Sequence, residues 1–131
     1  MSLNDPISNL LTNIRNAVSA GKETVDVPAS RLSGRVLDIF KNDGYIEDSR
    51  AMKANAQGSF KIYLKYDNKK PLITGIKRIS KPGLRIYVQR DEIPRVLSGM
   101  GTAVISTSKG VINDREARKL KIGGEILCHI W

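Results

Sequence analysis

The sequence is short of the residues that most active-site chemistry requires. Its single cysteine, Cys128, excludes an internal disulfide. Its single histidine, His129, stands next to it, where neighbours on a strand point to opposite faces. With no second cysteine or histidine, neither a zinc site nor a Cys–His nucleophile pair can be completed, and packing within a strand is the simpler reading of both. Aromatic residues make up 5% of the chain, so a stacking surface for several single-stranded bases is poorly supplied. There is no apolar run long enough to span a bilayer and no basic-then-apolar leader, so a cytosolic protein without a membrane partner is expected. Phosphate-binding glycine motifs are also missing: Gly99-Met100-Gly101 begins like a dinucleotide fingerprint, but Val104 stands where the third glycine belongs. Glu47 and Asp48 are adjacent, and on a strand they cannot face one substrate as an acid/base pair. No cofactor is expected.

What the chain has in excess is positive charge. Its 131 residues carry 22 Lys and Arg against 13 Asp and Glu, a net +9, which draws phosphates and anionic head groups. The excess is spread along the chain: residues 80–131 hold nine basic and five acidic side chains, and no block of like charge marks a disordered tail. With 40% hydrophobic residues, this length builds one core or two small ones.

Apolar periodicity places the elements. Ile7, Leu10, Leu11, Ile14 and Val18 follow a helical repeat, with Asp5 as N-cap, Pro6 in the first turn and Gly21 as stop. Val25 and Val27 mark a short strand. Ser30 caps a second helix through Leu32, Val36, Leu37 and Phe40 to Gly44, and residues 45–50 and 59–66 read as strands. A turn at Asn68-Lys69-Lys70-Pro71 leads into residues 72–79. Ser80-Lys81-Pro82-Gly83 is the expected boundary, because Pro and Gly together interrupt regular structure. Beyond it, alternation over 84–88 predicts a strand, Asp91–Gly99 a short helix, and 102–106, 111–112 and 126–131 strands. Asn113 with Glu116 resembles a capping pair. The expected fold is α+β in two small domains: an αβαββ-like N-terminal one over residues 1–79 and a mostly β one with short helices over 80–131.

The most suggestive stretch is Ser106-Thr107-Ser108-Lys109-Gly110. Ser106 and Lys109 formally satisfy S-x-x-K, but the S-D-N and K-T-G strings that complete that catalytic site do not occur. Three adjacent hydroxyls in a loop could instead meet ribose 2′-OH groups, phosphates and base edges, with Lys109 adding charge and Gly110 close approach; an ordinary hairpin turn accounts for the same composition. Arg85 and Tyr87, two apart on a predicted strand, offer an aromatic plate beside a cation, or simply a solvated strand face.

Several strings, taken together, resemble the bacterial form of the small-subunit ribosomal protein eight family across the whole chain. They are Asp5-Pro6-Ile7, Leu11-Thr12 and Ile14-Arg15-Asn16; Gly44-Tyr45-Ile46; Ser80-Lys81-Pro82-Gly83-Leu84-Arg85-Ile86-Tyr87; Ser106-Thr107-Ser108-Lys109-Gly110-Val111; Ala117-Arg118; and Gly123-Gly124-Glu125-Ile126. The resemblance implies a non-enzymatic protein that binds the central domain of small-subunit ribosomal RNA and helps organise the platform. It implies contacts with the small-subunit proteins numbered five and twelve, and, as in some members, with the protein's own messenger RNA. It also implies an RNA site in which Ser106, Thr107 and Ser108 enter the RNA surface, Lys109 and Gly110 shape the loop, and Tyr87 and Arg85 border it. Glu125 would accept from a base amino group or orient a loop hydroxyl, and Ser30 with Arg31 would hold a phosphate at a helix start. The sequence departs from the family at Asn113, where Ser or Thr is usual, and over residues 52–58, where no role is assigned to Lys53.

Overall fold

The computed structural model describes residues 5–53 and 58–131. The chain folds as two compact units that meet in sequence between Thr74 and Gly75.

The N-terminal unit begins with α1 (Pro6–Ser19), whose first turn is closed by the Asp5 carboxylate accepting from the Ser8 backbone N–H at 3.2 Å. Its repeat of Ile7, Leu10, Leu11, Ile14 and Ala17 is buried. Strand β1 (Thr24–Pro28) follows, then α2 (Arg31–Asn42), capped by the Ser30 hydroxyl accepting from Ser33 N–H at 3.0 Å and burying Val36, Leu37 and Phe40. Strands β2 (Ile46–Met52) and β3 (Ser59–Leu64) complete a three-stranded antiparallel sheet in the order β1-β3-β2. The central strand β3 buries Ile62 and Leu64, residues of one alternating set, beside Val27 and Ile46. Each such fully buried Leu or Ile contributes roughly 2 kcal/mol. A small hairpin, β4 (Tyr66–Asp67) and β5 (Lys70–Pro71), turns through Asn68 and Lys69, both left-handed (φ 51° and 67°), as a two-residue loop between right-twisted strands requires.

The C-terminal unit is organised on its last strand. Its elements are β6 (Ile76–Arg78), β7 (Tyr87–Val88), β8 (Thr102–Thr107), β9 (Gly110–Asn113), α3 (Asp114–Leu120) and β10 (Gly124–Ile130). Strand β10 pairs antiparallel with β8 along one side and with β6 and β7 in turn along the other, and β9 pairs β8 as a hairpin. A bulge at Leu127 shifts the register between Ile126 and Cys128. Ala103 and Ile105 of β8 pack with Val96 and Ala117, flanked by Ile93, Ile112 and Trp131. The Asn113 side chain accepts from Glu116 N–H at 2.8 Å and so caps α3, as the capping pair predicted despite its departure from Ser or Thr.

Three expectations change. The boundary lies at 74/75 and not at 79/80, because β6 belongs to the β10 sheet and Gly75 exchanges two 3.0 Å backbone hydrogen bonds with Trp131. Lys81-Pro82-Gly83-Leu84 does not separate two units but forms a tight turn inside the C-terminal one, closed by reciprocal backbone bonds of 2.8 and 3.0 Å between Lys81 and Leu84, and it shortens the strand expected over 84–88 to two residues. The helix expected over 91–99 is instead a 3-10 turn, Arg90–Glu92, followed by an irregular kinked turn over Val96–Gly99. Pro94 biases Ile93 away from helical backbone, and Leu97 and Ser98 adopt left-handed φ values of 47° and 54°. The variable stretch at 52–58 lies partly outside the described residues.

Asp114 is fully buried; it accepts from the Ala103 N–H at 3.2 Å and from Arg118 at 2.6 Å, and so ties α3 to β8. Asp114→Ala would leave a guanidinium and a backbone N–H without that acceptor. It is expected to lower unfolding free energy by about 3 kcal/mol in urea titrations, and a loss below about 1 kcal/mol would show the pair to be dispensable.

Candidate nucleic-acid interface

The hydroxyl stretch forms the tip of the β8–β9 hairpin. Thr107 pairs with Gly110, leaving Ser108 and Lys109 as an exposed two-residue loop, and Gly110 has φ +110°, a conformation that glycine alone adopts without strain. The Thr107 hydroxyl donates to the Gly110 carbonyl at 2.8 Å and accepts from Lys109 N–H at 3.1 Å. It therefore builds the turn. The hydroxyls of Ser106 and Ser108 make no hydrogen bond among the described residues, so two of the three expected hydroxyls are presented and one holds the hairpin shut.

Register brings the other expected residues to this hairpin. In β10, Glu125 stands directly opposite Ser106 of β8 on one side and Tyr87 of β7 on the other. Residues opposite one another in antiparallel pairs share a face, about 5 Å apart, so Tyr87, Glu125 and Ser106 form a row across three strands. The preceding Gly123 and Gly124 allow it: a Cβ on Gly124 would collide with the Ser106 carbonyl, and one on Gly123 with that of Val88. Tyr87 is 68% exposed at one end of the row.

A hydrogen-bonded cluster fixes the middle of the row. Glu125 Oε2 accepts from the Ser80 hydroxyl at 2.5 Å and from the Arg85 guanidinium at 3.0 Å, and Ser80 Oγ accepts in turn from Ile86 N–H at 3.0 Å. Glu125 therefore engages Ser80 and Arg85, not a loop hydroxyl as its second expected role would require. Partial burial pushes the Glu125 carboxyl up, but the Ser80 and Arg85 hydrogen bonds and the charges of Arg85 and Arg78 outweigh it and hold the group below its ordinary value. The result is an ionised acceptor within a basic setting, with exposed Lys81 and Lys109 and half-exposed Arg85 nearby in the same unit.

Ser30 and Arg31 belong to the N-terminal unit. The Ser30 hydroxyl is occupied in capping α2, and Arg31 is exposed in the first turn, lining a groove of about 550 Å³ with Gly34, Arg35, Asp38, Ser49, Ala51 and Phe60. Cys128 is fully buried, and burial pushes its thiol up to about 12, so it carries no nucleophilic thiolate near neutral pH. Among the described residues no group of three His, Cys, Asp or Glu could hold a metal, and no helix is long and apolar enough to cross a membrane. Sequence reasoning missed Ser80, which it assigned to the domain boundary. A serine before Lys-Pro-Gly reads locally as a turn residue, and nothing nearby signals a carboxylate partner 45 positions away.

Because the Glu125 pKa is depressed in the folded chain, the stability it adds is complete above its ordinary 4.5 and fades as pH falls through the lowered value. The stability advantage of wild type over Glu125→Gln, read from urea midpoints, is expected to shrink on acidification below pH 4.5; a difference that stays constant with pH would contradict the assignment.

The family model for ribosomal protein S8 matches residues 5–131. The chain is 54% identical to the small ribosomal subunit protein uS8 of Kosmotoga olearia, over 97% of this chain and 98% of the relative. It is 55% identical to that of Natranaerobius thermophilus and 54% to that of Clostridium tetani, each over the full length of both chains. The chain belongs to the ribosomal protein S8 family and is a structural, non-enzymatic constituent of the cytoplasmic ribosome.

Proposed function

We propose that the protein binds the central domain of small-subunit ribosomal RNA through its C-terminal unit and helps organise the platform during assembly. The observation that carries this reading is the Tyr87–Glu125–Ser106 row beside the Ser108-Lys109 hairpin tip, in a chain of net charge +9. Lys109, Arg85 and Lys81 neutralise phosphates and supply affinity; Ser106 and Ser108 exchange hydrogen bonds with 2′-OH groups and base edges, and Glu125 accepts from an exposed base amino group. Thr107 and Gly110 act by shaping the loop. One tyrosine at the margin serves a single stacking contact, which favours recognition of the shape of a distorted helix over a run of splayed bases.

Arg31, at the start of α2, meets a further phosphate, with Ser30 acting as the cap that orders that helix start. By the family resemblance, small-subunit proteins five and twelve are the protein neighbours, and in some members of the family the protein's own messenger RNA is a second RNA target.

Footprinting on small-subunit ribosomal RNA is expected to give a confined protected region that Thr107→Ala weakens, while Lys69→Ala in the β4–β5 turn leaves it unchanged. Affinity should fall linearly with the logarithm of salt concentration, and Lys109→Ala should reduce that slope by about 1. A salt-independent affinity, or equal affinity for the DNA hairpin of matching sequence, which lacks the 2′-OH, would reject the reading.

A further inference from the structure

We infer that Ser80 is a positioning residue for this interface: its buried hydroxyl fixes Glu125 and the Ile86 backbone to each other, and thereby sets the spacing of the Tyr87–Glu125–Ser106 row. The inference rests on the RNA-binding reading above. Ser80 is 0% exposed, so it does not itself touch RNA. Its hydroxyl uses both of its capacities at once, donating to Glu125 Oε2 at 2.5 Å and accepting from Ile86 N–H at 3.0 Å. Its backbone N–H donates to Ile126 O, and Ile126 N–H donates to Ile86 O, each at 3.0 Å. Ser80 and Ile86 thus bracket Ile126, with only the Lys81–Leu84 turn and Arg85 between them.

The position of β7 depends on this bracket. Strand β7 has only two residues, each paired once with β10, and so little ladder of its own to set where Tyr87 stands. Ser80 also gives the Glu125 carboxylate a neutral donor besides Arg85. That matters at an RNA surface, because a phosphate competes for the guanidinium, and a carboxylate whose sole donor is withdrawn is left charged and half-buried without compensation. With Ser80 in place, Arg85 can turn toward a phosphate while Glu125 stays ionised and held.

The test uses the full-length chain and a central-domain fragment of small-subunit ribosomal RNA, with affinities measured for wild type, Ser80→Ala, Glu125→Ala, the double variant and Lys109→Ala. Ser80→Ala is expected to weaken binding about tenfold, the equivalent of about 1.4 kcal/mol, and the double variant to lose less than the product of the two single losses, because Ser80 acts partly through Glu125. Carbon NMR titration of the Glu125 carboxyl in the free protein gives a readout that a merely structural serine would not move: the midpoint lies below 4.5 in wild type and rises in Ser80→Ala. Ser80→Cys, which keeps the volume but offers only a weak donor, should show the same losses if the alanine variant does not fold. The inference is overturned by Ser80 variants that bind within twofold of wild type while Lys109→Ala still weakens binding, by fully multiplicative losses, or by an ordinary Glu125 midpoint in the wild-type chain. Failure of wild type itself to bind the fragment would instead sink the RNA reading on which the inference rests.

Discussion

The pairing of β10 with neighbours on both of its edges is the constraint on which the candidate interface depends. One short stretch, Gly123-Gly124-Glu125, must lie close to β7 on one side and β8 on the other, and two residues without side chains let the backbones approach. Register then does the assembling: residues 87, 106 and 125, far apart in sequence, share a face because they occupy opposite positions in antiparallel ladders. The bulge at Leu127 takes up the mismatch toward the other end of the strand, where Cys128–Ile130 pair with β6 and β8. The row itself is left in regular sheet.

Rigidity and display are divided among the side chains. Thr107 and Ser80 spend their hydroxyls inside the protein, one closing the hairpin tip and the other joining Glu125 to the Ile86 backbone. Ser106, Ser108, Lys109 and Tyr87 keep polar or aromatic groups available at the surface. A preorganised surface of this kind loses little conformational entropy on binding, and specificity then comes from the fixed positions of a few groups within a diffusely basic field. A buried carboxylate, Asp114, bonded to the half-buried Arg118 and to the Ala103 N–H, holds α3 against β8 in the same unit.

Much of the fold was legible in the sequence because its determinants are local. Asp5, Ser30 and Asn113 were readable as helix caps, since a cap needs only the next turn of backbone. The alternation in β3 was readable for the same reason, and a hairpin turn somewhere within Ser106–Gly110 was one of two readings of that stretch. What escaped was non-local. The assignment of Ile76–Arg78 to the second unit depends on pairing with residues some fifty positions later, which makes the boundary 74/75 despite the stronger Pro-Gly signal at 82–83. The 91–99 stretch has helical spacing, but Pro94 and the left-handed Leu97 and Ser98 override it. At the site, residue types and the hairpin were visible and the resemblance tied them together. The division of labour among the three hydroxyls, and the place of Ser80, were not, because both are set by hydrogen bonds that only the folded chain forms.

The central claim is that one face of the C-terminal unit meets RNA. The most direct measurement is backbone amide chemical-shift mapping of the full-length chain as a central-domain fragment of small-subunit ribosomal RNA is added. The account predicts that the large perturbations gather on residues 85–88, 106–111 and 123–125, with Asn68 and Lys69 unmoved. Perturbations that bypass those three segments while the RNA is nonetheless bound would contradict it.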